Sequence, residues 1–185
     1  MQLKSQRGDT IIEAILALAI FALVTVSMFA IMQRATAGAY DSIERSQVRL
    51  LLNEQADVLA FLRDQYIKVT SQGASPAANT PAGAWKTIRD QAASAAIPAQ
   101  DSCTPAADKA FYMTRTSPGV YELKTSYAAA SGLPVPGQGI WIEKVDPQGS
   151  VKKRNFHDFY IRACWTTTTN NQQVLSSVVR LYEPN

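Results

Sequence analysis

One histidine in 185 residues, His157, leaves little room for the chemistry that imidazole usually supplies. No group of His, Cys, Asp and Glu has metal-ligand spacing, and a catalytic triad would have to use His157, which precedes a strand, neighbours Asp158 and reads as a surface or edge residue. Glycine is sparse as well. Gly132, Gly137 and Gly139 lie among Pro134 and Pro136 in an irregular linker, so no glycine-rich turn follows a strand to cradle a phosphate. The sequence therefore gives no reason to expect an enzyme, a cofactor or a metal. Charge of one sign is also lacking, because the formal net charge is only +3. Lys152-Lys153-Arg154 is the one basic cluster, with only Phe156 and Tyr160 nearby to stack on bases. Such a run reads as a solvated turn, and nucleic acid is not an expected partner. Thr166 to Asn171 is polar enough to bond a sugar or a protein, but strand ends commonly look the same.

Proline is missing before Pro76, and no charged residue falls between Glu13 and Arg34. The apolar run from Ala14 to Met32 spans about 19 residues, roughly 29 Å as a helix, which matches the hydrocarbon thickness of a bilayer. Glu13 sits where that span meets the membrane, and an ionised carboxylate there is costly unless a positive charge meets it. Ahead of the span, Met1 to Arg7 is polar and carries Lys4 and Arg7, which should hold this end in the cytoplasm and place the chain beyond Arg34 outside. Two other readings fit parts of this pattern. Ala35-Thr36-Ala37 resembles a signal-peptidase site, although signal-peptide cores run only about 7 to 15 residues and lack acids in these positions. An uncleaved membrane anchor explains the length but leaves Glu13 without a role.

The block Gly8-Asp9-Thr10-Ile11-Ile12-Glu13, behind a short basic leader and ahead of a long apolar helix, resembles the type IV prepilin signal. The stretch Ile11 to Leu23 looks most like minor pilins and type II secretion pseudopilins. The likeness covers Gln6 to about Met32. It implies that a prepilin peptidase cuts after Gly8 and methylates the new amine on Asp9. It also implies that Glu13 pairs with a neighbouring subunit's amine when the helices leave lipid and bundle into a filament. The pairing is physically sensible, because a buried ammonium and a buried carboxylate relieve each other's desolvation. Mature pilins usually begin with Phe or Met. Asp9 departs from that habit and puts a second carboxylate beside the amine, where it is also suited to cap the helix. No proline interrupts the span, so nothing in it calls for local loss of helix.

Past Met32 the polarity rises, and an amphipathic helix pattern runs on to about Val69. Val48, Leu51, Leu52, Leu59, Leu62, Tyr66 and Val69 fall within an arc about 100° wide, interrupted only by Gln55. Thr10 to Val69 as one helix would be roughly 90 Å long. Ile43, Leu50 and Phe61 line the far side among Glu54, Asp57 and Asp64, where they would suit contact with neighbouring subunits or simply be exposed. Ser71 to Pro81 reads as a loop, and Ala84 to Ala96 as a short helix ended by Pro98, with Trp85, Ile88 and Ala92 on one face. From Phe111 the composition turns to β-branched and aromatic residues. Strands are expected at Phe111 to Thr116, Val120 to Tyr127, Ile140 to Val145, His157 to Thr168 and Gln173 to Glu183, arranged as an antiparallel meander. Alternation puts Phe159, Ile161, Ala163, Trp165, Leu175, Val179 and Leu181 on the face that packs on the helix.

Cys103 and Cys164 both lie in the part placed outside the membrane, where disulfides persist, and are expected to bond. Two free thiols are the alternative. Alternation turns Cys164 to the face away from the helix, so a bond would pin the segment from Pro98 to Ala107 across the outside of the sheet.

The expected fold is α+β and pilin-like: a long N-terminal helix packed against a C-terminal antiparallel sheet. Residues 1–8 form a cleaved leader, 9–33 the membrane and assembly half of the helix, and 34–70 its amphipathic half. Residues 71–109 are a loop with a short helix, and 110–185 are the sheet. The expected function is that of a structural subunit, a minor pilin or pseudopilin, in a type IV pilus-like or type II secretion-like filament. Its partners would be the prepilin peptidase, other pilin subunits, the assembly machinery and, before assembly, membrane lipid. It would begin as a single-pass cytoplasmic-membrane protein with its C-terminal domain outside and end in an extracellular filament. The alternative is an uncleaved membrane-anchored extracellular binding module that never polymerises.

Overall fold

The computed structural model describes residues 9–94, 103, 105, 109–117, 119–124, 139–146, 155–167 and 171–184. Helix α1 (Asp9–Ser71) is 63 residues long and is followed by a short helix α2 (Pro81–Asp90). Five strands complete the order: β1 (Ala110–Ser117), β2 (Val120–Lys124), β3 (Ile140–Val145), β4 (Phe156–Thr166) and β5 (Gln172–Tyr182). The chain divides into two compact units, one ending at Ile43 and one beginning at Glu44. The first consists, among the described residues, of the N-terminal part of α1. Nothing in its sequence breaks that helix, since Gly38 is its one glycine and proline is absent.

The second unit is an α+β arrangement, with the remainder of α1 and all of α2 on one face of an antiparallel sheet. The arc of α1 is buried as its spacing requires: Val48, Leu52, Leu59 and Leu62 are all at most 2 % exposed, joined by Val58, which the arc had left out. They meet Phe111 and Met113 of β1, Ile140 and Ile142 of β3, Phe159, Ile161, Ala163 and Trp165 of β4, and Leu181 of β5. Burying each large apolar side chain contributes about 1.5–3 kcal/mol before conformational entropy is counted.

The strand order is β2-β1-β3-β4-β5, which corrects the expected meander. β1 pairs with β2 and also with β3, through Ala110↔Glu143 and Phe111↔Ile142. Burial explains the choice. β3 flanks β1 at Ala110 and Phe111 and β2 flanks it from Tyr112 onward, so the buried Phe111 and Met113 each have a strand neighbour, while β2, carrying Glu122 and Lys124, suits an edge. The connection from Lys124 to Ile140 is long enough to pass β1 by.

Helix α2 starts earlier and ends sooner than its composition suggests. Thr80 caps it, its hydroxyl accepting from the Gly83 N–H at 3.2 Å, and Pro81 occupies the first turn, where its missing N–H costs nothing. It stops at Asp90, so Ala92 is not on its face. Ser94 instead bridges to β3: its N–H donates to the Lys144 carbonyl at 2.8 Å and its carbonyl accepts from Asp146 at 2.9 Å. Pro98 lies outside the described residues, as do Tyr127 and the 152–154 basic cluster. Gly83 is where α2 approaches the preceding turn, since a Cβ there would stand 2.1 Å from the Ala77 carbonyl oxygen.

Candidate functional site

In the N-terminal unit the apolar side chains of α1 are exposed along the described helix. Ile11, Leu16, Phe21, Leu23, Val26, Phe29 and Met32 are all more than half exposed. The helix is long and apolar enough to cross a membrane, with a mean hydropathy of 2.7 over its most apolar window. The two hydroxyls within the apolar run from Ala14 to Met32 are self-satisfied. Thr25 donates to the Phe21 and Ala22 carbonyls at 2.9 Å, and Ser27 to Leu23 at 2.8 Å, so neither presents an open donor to lipid.

Glu13 lies one turn into α1, exposed, and among the described residues it has neither an ion pair nor a hydrogen-bond partner. Asp9 opens the helix. Gly8, the Asp9 side chain and therefore the proposed cut and cap lie outside the described residues. The structure thus sets Glu13 on the same exposed apolar helix as the candidate span. Among the described residues no second charged side chain pairs with it.

In the second unit Cys103 and Cys164 form a disulfide with Cα atoms 5.6 Å apart. It sits on the sheet face away from α1, against Ala110, Trp141 and Val174, which is the face that alternation assigned to Cys164. Two ionisable residues that sequence reasoning passed over are buried on that face. Glu143 and Arg162 are 2 % and 1 % exposed; Trp141 Nε1 donates to Glu143 Oε1 at 2.8 Å, and the Arg162 guanidinium stands 5.7 Å from the Trp141 ring centre. Their one sequence signal was position, because both share the parity of Trp141 and Cys164 on paired strands.

His157 is half-buried rather than a plain edge residue. Its ring is edge-on to Trp85 at 6.2 Å, and Nε2 is 3.8 Å from Glu183 Oε1, which also accepts from Trp85 Nε1 at 2.5 Å. Desolvation, then the Lys144 charge, holds its pKa below 6.5. Lys144 is itself pulled down by burial, and its ammonium donates to the Arg89 and Gln91 carbonyls. On the outer face, Arg180 forms a two-pronged bond to Asp158 at 2.6 and 2.7 Å, which raises the arginine's pKa further. Among the described residues no set of three or more His, Cys, Asp and Glu could hold a metal ion.

No family model, curated protein or solved structure matches this chain. The chain combines one exposed apolar helix bearing Glu13 with one compact, disulfide-bonded α+β unit.

Proposed function

We propose that the chain is a structural subunit of a type IV pilus-like or type II secretion-like filament, of the minor pilin or pseudopilin kind. A prepilin peptidase removes residues 1–8, Asp9 becomes the first residue, and the C-terminal unit lies outside the cytoplasmic membrane. Glu13 carries the reading. An ionised carboxylate at the edge of an uninterrupted apolar helix is costly in lipid, and its relief by a neighbour's terminal amine couples that cost to assembly. The exposed face of Ile11 to Met32 supports it, since packing against like helices removes that surface from lipid or water. The work is mechanical and associative, with no catalysis.

Incorporation of a Glu13→Ala variant tests the pairing. The expected result is a protein that is cleaved and membrane-bound but several-fold depleted from sheared filaments. Normal incorporation would remove the role given to Glu13. A protein that keeps its leader and stays monomeric in the membrane would instead be an anchored extracellular binding module.

A further inference from the structure

The exposed surface of the second unit's part of α1 is polarised around its circumference, and its two sides fit each other. On one flank of the buried arc stands Arg49, exposed, with the half-buried small residue Ala56 below the same line. On the opposite flank stand Glu54 and Asp57, both exposed, with Leu50 at 67 % and Phe61 at 37 % exposure between and beside them. At 3.6 residues per turn, Arg49 is about 140° around the helix from Glu54, and Ala56 about 140° from Phe61. Among the described residues Arg49, Glu54 and Asp57 belong to no salt bridge. Arg45, by contrast, is engaged with Gln173 at 3.3 Å.

The acidic flank is also concave. Leu50, Glu54, Asp57 and Phe61 border a groove of about 630 Å³ whose other wall is Arg115 of β1 and Tyr121 of β2. Phe61 and Tyr121 form its apolar floor, with ring centres 5.9 Å apart. With Arg115 counted, the ionisable side chains that line the groove sum to one negative charge.

We infer that this groove receives the Arg49 flank of a second copy of the chain, standing parallel and displaced along the helix by five residues. One displacement satisfies both halves of the contact. It sets Arg49 of one copy level with Glu54 of the next, and Ala56 level with Phe61, so the small side chain makes room for the ring. Five residues correspond to about 7.5 Å along a helix. Because the two flanks differ, each copy offers an acidic groove to one neighbour and a basic ridge to another. The contact is heterologous and propagates rather than closing into a dimer. It rests on the filament reading, since that reading is what places copies parallel and side by side.

The test uses the full chain expressed with its own assembly machinery and carrying Arg49→Cys together with Glu54→Cys. Within one chain these positions are too far apart around α1 to bridge, because a disulfide needs Cα atoms within about 7 Å. The expected result is a ladder of dimers, trimers and higher species on non-reducing gels, with neither single variant giving more than monomer. A dimer without higher species would overturn the heterologous contact, and a cross-link to a different protein would overturn the second copy as occupant. Filaments that contain the double variant but no ladder would refute this contact while leaving the filament reading intact. Retention of the leader and absence from filaments would refute the filament reading itself. A charge exchange gives a second readout. Glu54→Arg is expected to lower incorporation roughly tenfold, and adding Arg49→Glu to recover most of it, as for a close interfacial charge pair. Equal loss in the single and double exchanges would count against the pairing.

Discussion

The side-chain amide of Gln55 bonds both backbone groups of Met113: Nε2 donates to the carbonyl oxygen at 3.1 Å, and Oε1 accepts from the N–H at 3.0 Å. β3 pairs with β1 only at Ala110 and Phe111, so at Met113 the helix amide takes the place of the missing strand. The one polar residue in an otherwise apolar arc is therefore a sheet partner. Gln55→Leu should leave a buried donor and a buried acceptor unmatched and destabilise the second unit by about 2–4 kcal/mol. Chemical denaturation of the mature protein in detergent measures this, and a change under 0.5 kcal/mol would contradict it.

His157 predicts a pH dependence of known sign. Burial against Trp85 and Phe159, followed by the Lys144 and Arg89 charges, holds its pKa below 6.5, while Glu183 and Asp158 pull the other way. The unfolded chain takes up a proton near 6.5 and the folded one only at lower pH, so this stability is full above 6.5 and is lost as the pH falls from there towards the folded pKa. Denaturation at pH 7.5 and 5.5 should show a loss at the lower pH that is smaller in His157→Phe. An equal loss in both proteins would assign it to the carboxylates instead.

The Cys103–Cys164 bond closes a loop with a sequence separation of 61. Replacing both by serine should cost about 4 kcal/mol in the chain-entropy model. The measurement is the difference in unfolding free energy between the oxidised protein and the double variant. Cys164 is fully buried, so Cys164→Ser alone should be at least as harmful as Cys103→Ser.

The sequence made the periodic parts of the fold readable and left the competitive parts hidden. Val48, Leu52, Leu59 and Leu62 repeat with the helix period, and Phe159 to Trp165 with the strand period, so burial on one face followed from spacing alone. The β3 limits, Ile140 and Val145, were likewise legible. Insertion of β1 between β2 and β3 was not, because it depends on β3 pairing with the start of β1 and β2 with the rest, a comparison no single segment contains. The start of α2 was written in Thr80-Pro81 but masked by the loop-like composition around it. Its end was set from a distance, by the backbone bonds between Ser94 and β3 that overrode the helix preference of Ala92 to Ser94. The candidate site divides the same way. The apolar span and the disulfide could be read in advance, while the buried Glu143 and Arg162 emerged only when β3 and β4 were paired.

Mass spectrometry of the N-terminal peptide, from the full chain isolated out of cells that carry a prepilin peptidase, bears most directly on the central claim. The expected peptide begins at Asp9, with Gly8 and everything before it removed. A peptide retaining Met1, or one beginning at Gly38 after a signal-peptidase cut, would contradict it.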